Sequence, residues 1–185
     1  MRDKESRQTL WHGKVFDFNC EEFNLPNGRS MEMGVIRHPG SSGVIPILNG
    51  NSVILIHQYR PAIKNYIWEI PSGTMLPGEN PLECAKRELQ EECGFLGENF
   101  EKLGEILIAP WYSNERIHLF IATELVPCDQ NLDEDEILTK HVFPFDHAMK
   151  MVEKGEIQDA TTIIGIKMAY PIWQRRKGFE YSLEL

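Results

Sequence analysis

Three glutamates close together in the chain, Glu88, Glu91 and Glu92, carry the strongest chemical signal. On a helix Glu88 and Glu92 are four residues apart and share one face, and Glu91 borders the same patch. Carboxylates crowded in this way repel one another, and a hard cation with oxygen ligands, Mg²⁺ or Mn²⁺, relieves the repulsion. The element that must carry them is legible. A helix is expected from Pro81 to about Glu92, with Asn80 as N-cap, Pro81 in the first turn and Glu83 three residues after the cap. Gly94 is a natural left-handed stop. Leu82, Ala85, Leu89 and Cys93 are spaced to face a core, so one stripe anchors the helix and an adjacent one presents acids. The loop before it contains Gly73, Pro77 and Gly78, residues suited to a tight, backbone-exposing turn.

The remaining elements are mixed. Residues 9–37 read as short strands, with Leu25-Pro26-Asn27-Gly28 as a hairpin turn. His38 to Gly43 reads as a break. Val44–Leu48 and Ser52–Gln58 are β-rich runs around Asn49-Gly50-Asn51, and Trp68-Glu69-Ile70 is a short strand. Further strands are expected near Glu105–Ala109, Ile117–Glu124 and His141–Phe143, with helices over about Asp146–Lys154 and Ala160–Ala169, the latter stopped by Pro171. The expected fold class is therefore α/β of the α+β kind: a mixed, partly antiparallel sheet, preceded by a small N-terminal antiparallel β segment. That segment is placed at residues 1–38 and the main domain at 39–185.

Composition narrows the functions. The net charge is −9, so the chain is a poor non-specific binder of nucleic acid. Cys20, Cys84, Cys93 and Cys128 have no CxxC spacing and are read as free thiols, which suits a reducing compartment. The N-terminus, MRDKESRQTL, is too polar for a signal peptide, and no apolar run approaches the roughly 20 residues of a membrane helix. A cytoplasmic protein without membrane contact is expected. The six histidines show no metal-ligand spacing, and His38 and His118 are read as structural.

The segment from Gly73 to Phe95 resembles the Nudix box at every defining position: glycine, five residues, glutamate, seven residues, then Arg87-Glu88-Leu89-Gln90-Glu91-Glu92-Cys93-Gly94-Phe95. The resemblance implies a Nudix fold, its mixed sheet sandwiched between helices. It also implies Glu88 and Glu92 as principal metal ligands with Glu91 assisting, and the Ser72 carbonyl as a further ligand. Arg87 would orient the glutamates and Glu79 would support the loop. Two or three cations bridging a diphosphate would neutralise its charge and activate water.

The likeness continues outside the box. His38-Pro39-Gly40, Gln58-Tyr59-Arg60, Trp68 to Gly73, Pro110 (sixteen residues beyond Gly94), Ser113 to Phe120 and Gly155 to Thr162 are similar to segments of ADP-ribose pyrophosphatases. This implies metal-dependent hydrolysis of ADP-ribose to AMP and ribose 5-phosphate. Relatives acting on GDP- or UDP-sugars, a nucleotide-sensing module or an isomerase are the alternatives. Arg60 would bind phosphate or the terminal ribose and Glu69 the base, Trp11 and Trp68 could stack adenine, and Glu115 is a further substrate contact. Where relatives often have Pro-Gly, this chain has Pro110-Trp111, an aromatic able to reshape the sugar site. The acidic run Asp133-Glu134-Asp135-Glu136 is placed where the subfamily has a catalytic glutamate, with Glu136 the better positional match to a general base and Glu134 next. Relatives are homodimers whose N-terminal strands contribute to the partner's site, so a homodimer is expected.

Overall fold

The computed structural model describes residues 7–183, with side chains to residue 177. The first six residues of the polar N-terminus, and the outer ends of the two expected segments, lie outside the described residues. Strands β1 (Arg7–His12), β2 (Asp17–Asn24) and β3 (Ser30–Arg37) form a three-stranded antiparallel sheet in that order. Its second turn is the expected one: the Gly28 N–H donates to the Leu25 carbonyl and Gly28 has φ of 79°. Inside this sheet Glu21 is buried and accepts from Nε and Nη2 of Arg37. Arg37 thereby holds the Glu21 carboxyl below its usual range. Leu10, Trp11, Val15 and Phe18 remain exposed on the same subdomain.

The chain continues through β4 (Ser41–Leu48), β5 (Ser52–Arg60), β6 (Asn65–Glu69), β7 (Ser72–Thr74), α1 (Pro81–Cys93), β8 (Phe95–Leu107), β9 (Arg116–Pro127), β10 (Leu138–Pro144), α2 (Phe145–Glu153) and α3 (Ala160–Leu183). The seven strands form one mixed sheet of order β10-β5-β4-β9-β8, with β6 on β5 and β7 on β4. Only the β4–β9 pairing is parallel among these. Alternation along β5 explains the layers. Ile54 and Ile56 pack with Ala85, Leu89 and Cys93 of α1, whereas Val53 and Leu55 pack on the other face with Phe145, Ile166 and Trp173 of α2 and α3. The mixed sheet is thus sandwiched between helices. Among the described residues no helix is long and apolar enough to cross a membrane. All four cysteines are free.

Three expectations are corrected. The break at 38–43 ends at Gly40, because Ser41 to Gly43 are small residues of a central strand; a Cβ on Gly43 would lie 3.0 Å from Ile70 Cδ1. Strand β8 is far longer than the expected 105–109 and begins directly at Phe95. Helix α3 does not stop before Pro171. Proline deletes one backbone donor, but Trp173 in the next turn is buried against Phe145 and Tyr170, and its Nε1 donates to the Gly50 carbonyl at 2.6 Å.

Candidate active site

Helix α1 is fixed at both ends by local chemistry. Asn80 Oδ1 accepts from the N–H groups of Leu82 and Glu83, and Glu83 returns a hydrogen bond from the Asn80 N–H. Gly94, with φ of 66°, closes the other end. Because Ala85, Leu89 and Cys93 fill the core beneath, Glu88 and Glu92 emerge beside the β7 loop, only 5% and 1% exposed. Gly73 makes that approach sterically feasible: a Cβ there would lie 1.9 Å from Glu88 Oε1. The Ser72 N–H donates to Glu92 Oε2 at 2.8 Å.

Arg87 ties helix and loop together. Its Nε and Nη2 donate to the two oxygens of Glu79 at 2.8 and 3.0 Å, its Nη1 to Glu88 at 2.6 Å and Glu91 at 2.9 Å, and its Nη2 to the Thr74 carbonyl at 3.1 Å. These bonds keep the Glu79 carboxyl below its usual range. They do not rescue the deeper acids. Burial pushes Glu88 up to about 7 against the pull of Arg87, and Glu91 and Glu136 add to the rise. Glu92 is pushed well above the carboxylate range by burial and then by Glu88, against the Ser72 N–H. Two desolvated oxygen donors whose negative charge the protein offsets only in part suit a hard divalent cation. Each acid is meanwhile engaged by protein donors, and among the described residues no group of three or more His, Cys, Asp or Glu side chains is already gathered as a cation site.

Beside these acids is a cavity of about 240 Å³ lined by Arg60, Glu69, Ser72, Gly73, Glu115 and Asp159, among others. Arg60 donates to both oxygens of Glu69 at 3.0 Å. Burial opposes the charge on Arg60, but Glu69, with Glu92 and Asp159 behind it, raises its pKa; burial raises that of Glu69 despite Arg60. Glu115 accepts from Ser41 Oγ at 3.1 Å. The structure therefore brings Arg60, Glu69, Glu115 and Ser72 together with the α1 acids.

It does not bring Trp68 there. Strand alternation turns Trp68 to the opposite face from Glu69, where it stacks on His57 at 4.3 Å and meets Phe143 edge-on. Trp11 lies on β1, 53% exposed and packed on Phe16, and its own chain does not deliver it to the cavity. Trp111 is exposed and lines a neighbouring cavity of about 490 Å³ between β3 and the loop before β9, which shares His38 with the smaller one.

The acidic loop separates its two candidates. Glu136 is half-buried, accepts from the Asp133 N–H at 3.0 Å and acts electrostatically on both Glu88 and Glu92. Glu134 sits on an exposed surface with Asp133, Asp135 and Lys14, whose Nζ is 3.4 Å from Asp135.

Asp159 and Thr162 were not among the expected site residues. Asp159 Oδ2 accepts from the Thr162 N–H and hydroxyl, both at 2.7 Å, and Thr162 Oγ1 accepts from the Ile70 N–H at 2.9 Å. This chain pins the strand connection that leads to Ser72. An aspartate three residues before a threonine at a helix start was the available signal.

Fold and site together define a class: a mixed sheet between helices, with a glycine-rich loop and a buried acidic helix beside an arginine-bearing cavity. A family model described as the NUDIX domain matches residues 37–163. An ADP-ribose pyrophosphatase of Bacillus subtilis is 32% identical, with 88% of this chain and 89% of that protein covered. A methanol dehydrogenase activator of Bacillus methanolicus is 33% identical over 86% of this chain and 88% of its own. Among solved structures, an ADP compounds hydrolase superposes with a TM-score of 0.79 at 22% identity, covering 94% of this chain and 96% of its own. The chain belongs to the Nudix family.

Proposed function

We propose that the protein hydrolyses the diphosphate of ADP-ribose, adding one water to give AMP and ribose 5-phosphate. The observation that carries this reading is the pair of buried acids Glu88 and Glu92, held by Arg87 and the Ser72 N–H beside the Arg60–Glu69 cavity and within electrostatic reach of Glu136. Glu88, Glu92, Glu91 and the Ser72 carbonyl would hold Mg²⁺ or Mn²⁺, which supplies charge neutralisation at the diphosphate and polarises the phosphorus centre. Arg87 keeps the acids in register through its shared hydrogen bonds. Arg60 orients the substrate phosphate or ribose, Glu69 and Glu115 take donors from base and sugar, and Glu136 removes a proton from the attacking water. Glu134 is assigned no proton transfer.

The test is nucleoside monophosphate release with Mg²⁺ from ADP-ribose, GDP-mannose and UDP-glucose. The highest kcat/KM is expected for ADP-ribose, with activity lost in EDTA. A winning GDP- or UDP-sugar would reassign the substrate. Binding of a nucleotide without any release would replace hydrolysis by sensing.

The same reading includes a homodimer built on the N-terminal sheet, residues 9–35. Leu10, Trp11, Val15 and Phe18 form its exposed apolar surface, and Trp11 would then serve the partner's cavity. Light scattering at micromolar concentration is expected to give twice the chain mass; a monomer rules the dimer out. Four free thiols fit the reducing cytoplasm, the compartment we propose.

A further inference from the structure

Resting on the hydrolase reading with Glu136 as its base, we propose that Lys140 and Gln130 are positioning residues: they clamp the loop that carries Glu136 onto the C-terminal end of α1, the helix that carries Glu88, Glu91 and Glu92. A helix leaves its last carbonyls without partners of its own. At the end of α1 the Gly94 N–H takes the Gln90 carbonyl at 2.8 Å. The next four carbonyls in sequence are taken by the two flanks of the acidic loop. The Asn131 N–H donates to Glu91 at 3.1 Å, Gln130 Nε2 to Glu92 at 2.6 Å, Lys140 Nζ to Cys93 at 2.6 Å and the Cys128 N–H to Gly94 at 3.0 Å.

Charge adds to the clamp. Helix α1 has no basic residue in its last turn, although Glu91 and Glu92 stand at the negative pole of its dipole. The Lys140 ammonium, which also lies 5.1 Å from the Phe95 ring centroid, supplies from β10 the cation that this pole lacks. Gly94 leaves the donors room: a Cβ there would lie 3.0 Å from the Cys128 carbonyl oxygen and 3.2 Å from Lys140 Nζ. Gln130 and Lys140 are exposed, so both ties can be cut without opening the core.

Between these ties lies the short segment that holds Glu136. The Tyr59 N–H donates to the Ile137 carbonyl at 2.9 Å and Leu138 pairs with Gln58, so β5 sets the place of the loop along the sheet. The α1 carbonyls tie the same loop to the helix of the acids. A base must stand within hydrogen-bond reach of the water it deprotonates, and a misplacement of about 1 Å can cost roughly 10²-fold in rate. Helix and loop joined in this way keep the cation ligands and the base at one spacing.

The test uses Lys140→Met, which keeps an apolar stem without the ammonium, and Gln130→Met, close in volume without the donor. Each is made alone and together with Glu136→Gln, and assayed with ADP-ribose at saturating Mg²⁺. Alone, Lys140→Met should lower kcat roughly 10-fold, as when a hydrogen bond from a charged donor no longer holds the competent loop position. Gln130→Met, which removes a neutral donor, should lower it about threefold. KM should stay within about twofold in both. In the Glu136→Gln background neither should lower kcat further, because a residue that acts through Glu136 has nothing left to position. The rise in Tm on adding Mg²⁺ should match the parent's, since the cation ligands are untouched. Parental kcat in Lys140→Met overturns the clamp. So does the same loss repeated in the Glu136→Gln background, which would make Lys140 a helix cap and nothing more. A smaller Tm rise with Mg²⁺ also overturns it, by placing the effect on the cation ligands. An inactive parent would overturn the hydrolase reading, and an active parent indifferent to Glu136→Gln would overturn the base; either takes the clamp with it. An active parent that needs Glu136 and not Lys140 would overturn the clamp alone.

Discussion

Replacing Glu92 with glutamine is expected to lower turnover by roughly 10³-fold, the several kcal/mol that a cation contributes to stabilising charge at a phosphoryl centre, while leaving the fold intact. Glu92 is almost completely enclosed, and burial together with Glu88 opposes its negative charge. The substitution removes that charge and keeps an oxygen able to accept from the Ser72 N–H. In EDTA the variant should therefore melt no lower than the parent. Its Tm should rise less on adding Mg²⁺, because a ligand that binds the native state stabilises it in proportion to its affinity. Full turnover in limiting Mg²⁺ would remove Glu92 from the cation site.

Glu136→Gln is expected to reduce kcat by roughly 10²–10⁴-fold, the range for loss of general base catalysis, with little change in substrate binding. Glu88 and Glu92 are poor candidates for that base if cations occupy them. Glu136 is the half-buried member of the acidic run, and its charge reaches both. Glu134→Gln should be much milder, since Glu134 stands on the exposed side of the loop with Lys14. Measuring kcat and Mg²⁺ dependence for both variants decides the matter. A large loss only in Glu134→Gln would move the base by two residues, and near-parental rates in both would make the loop a solvated charge run.

Helix α1 was legible because every signal that makes it is local: Asn80, Pro81, Glu83 and Gly94 act within one turn of its ends. Strand β8 was not, because charged residues interrupt its first half and its order comes from pairing with β9, including a register shift between Lys102 and Gly104. The extension of α3 past Pro171 depends on Trp173 reaching Gly50, a contact between positions remote in sequence. In the site, residue types announced the acids, but Trp68 required strand phase: once Glu69 faces the cavity, its neighbour cannot.

The hydrogen bonds of Arg87 have a kinetic consequence. Its guanidinium is shared among Glu79, Glu88, Glu91 and the Thr74 carbonyl, and Arg60 is committed to Glu69. Neither arginine presents uncompensated positive charge to an arriving anion, and the chain as a whole carries −9. A bare diphosphate diffusing toward this face meets a potential of its own sign, which slows encounter and does so most at low ionic strength. A diphosphate whose charge its counterions have already neutralised would meet less of this repulsion than the bare anion.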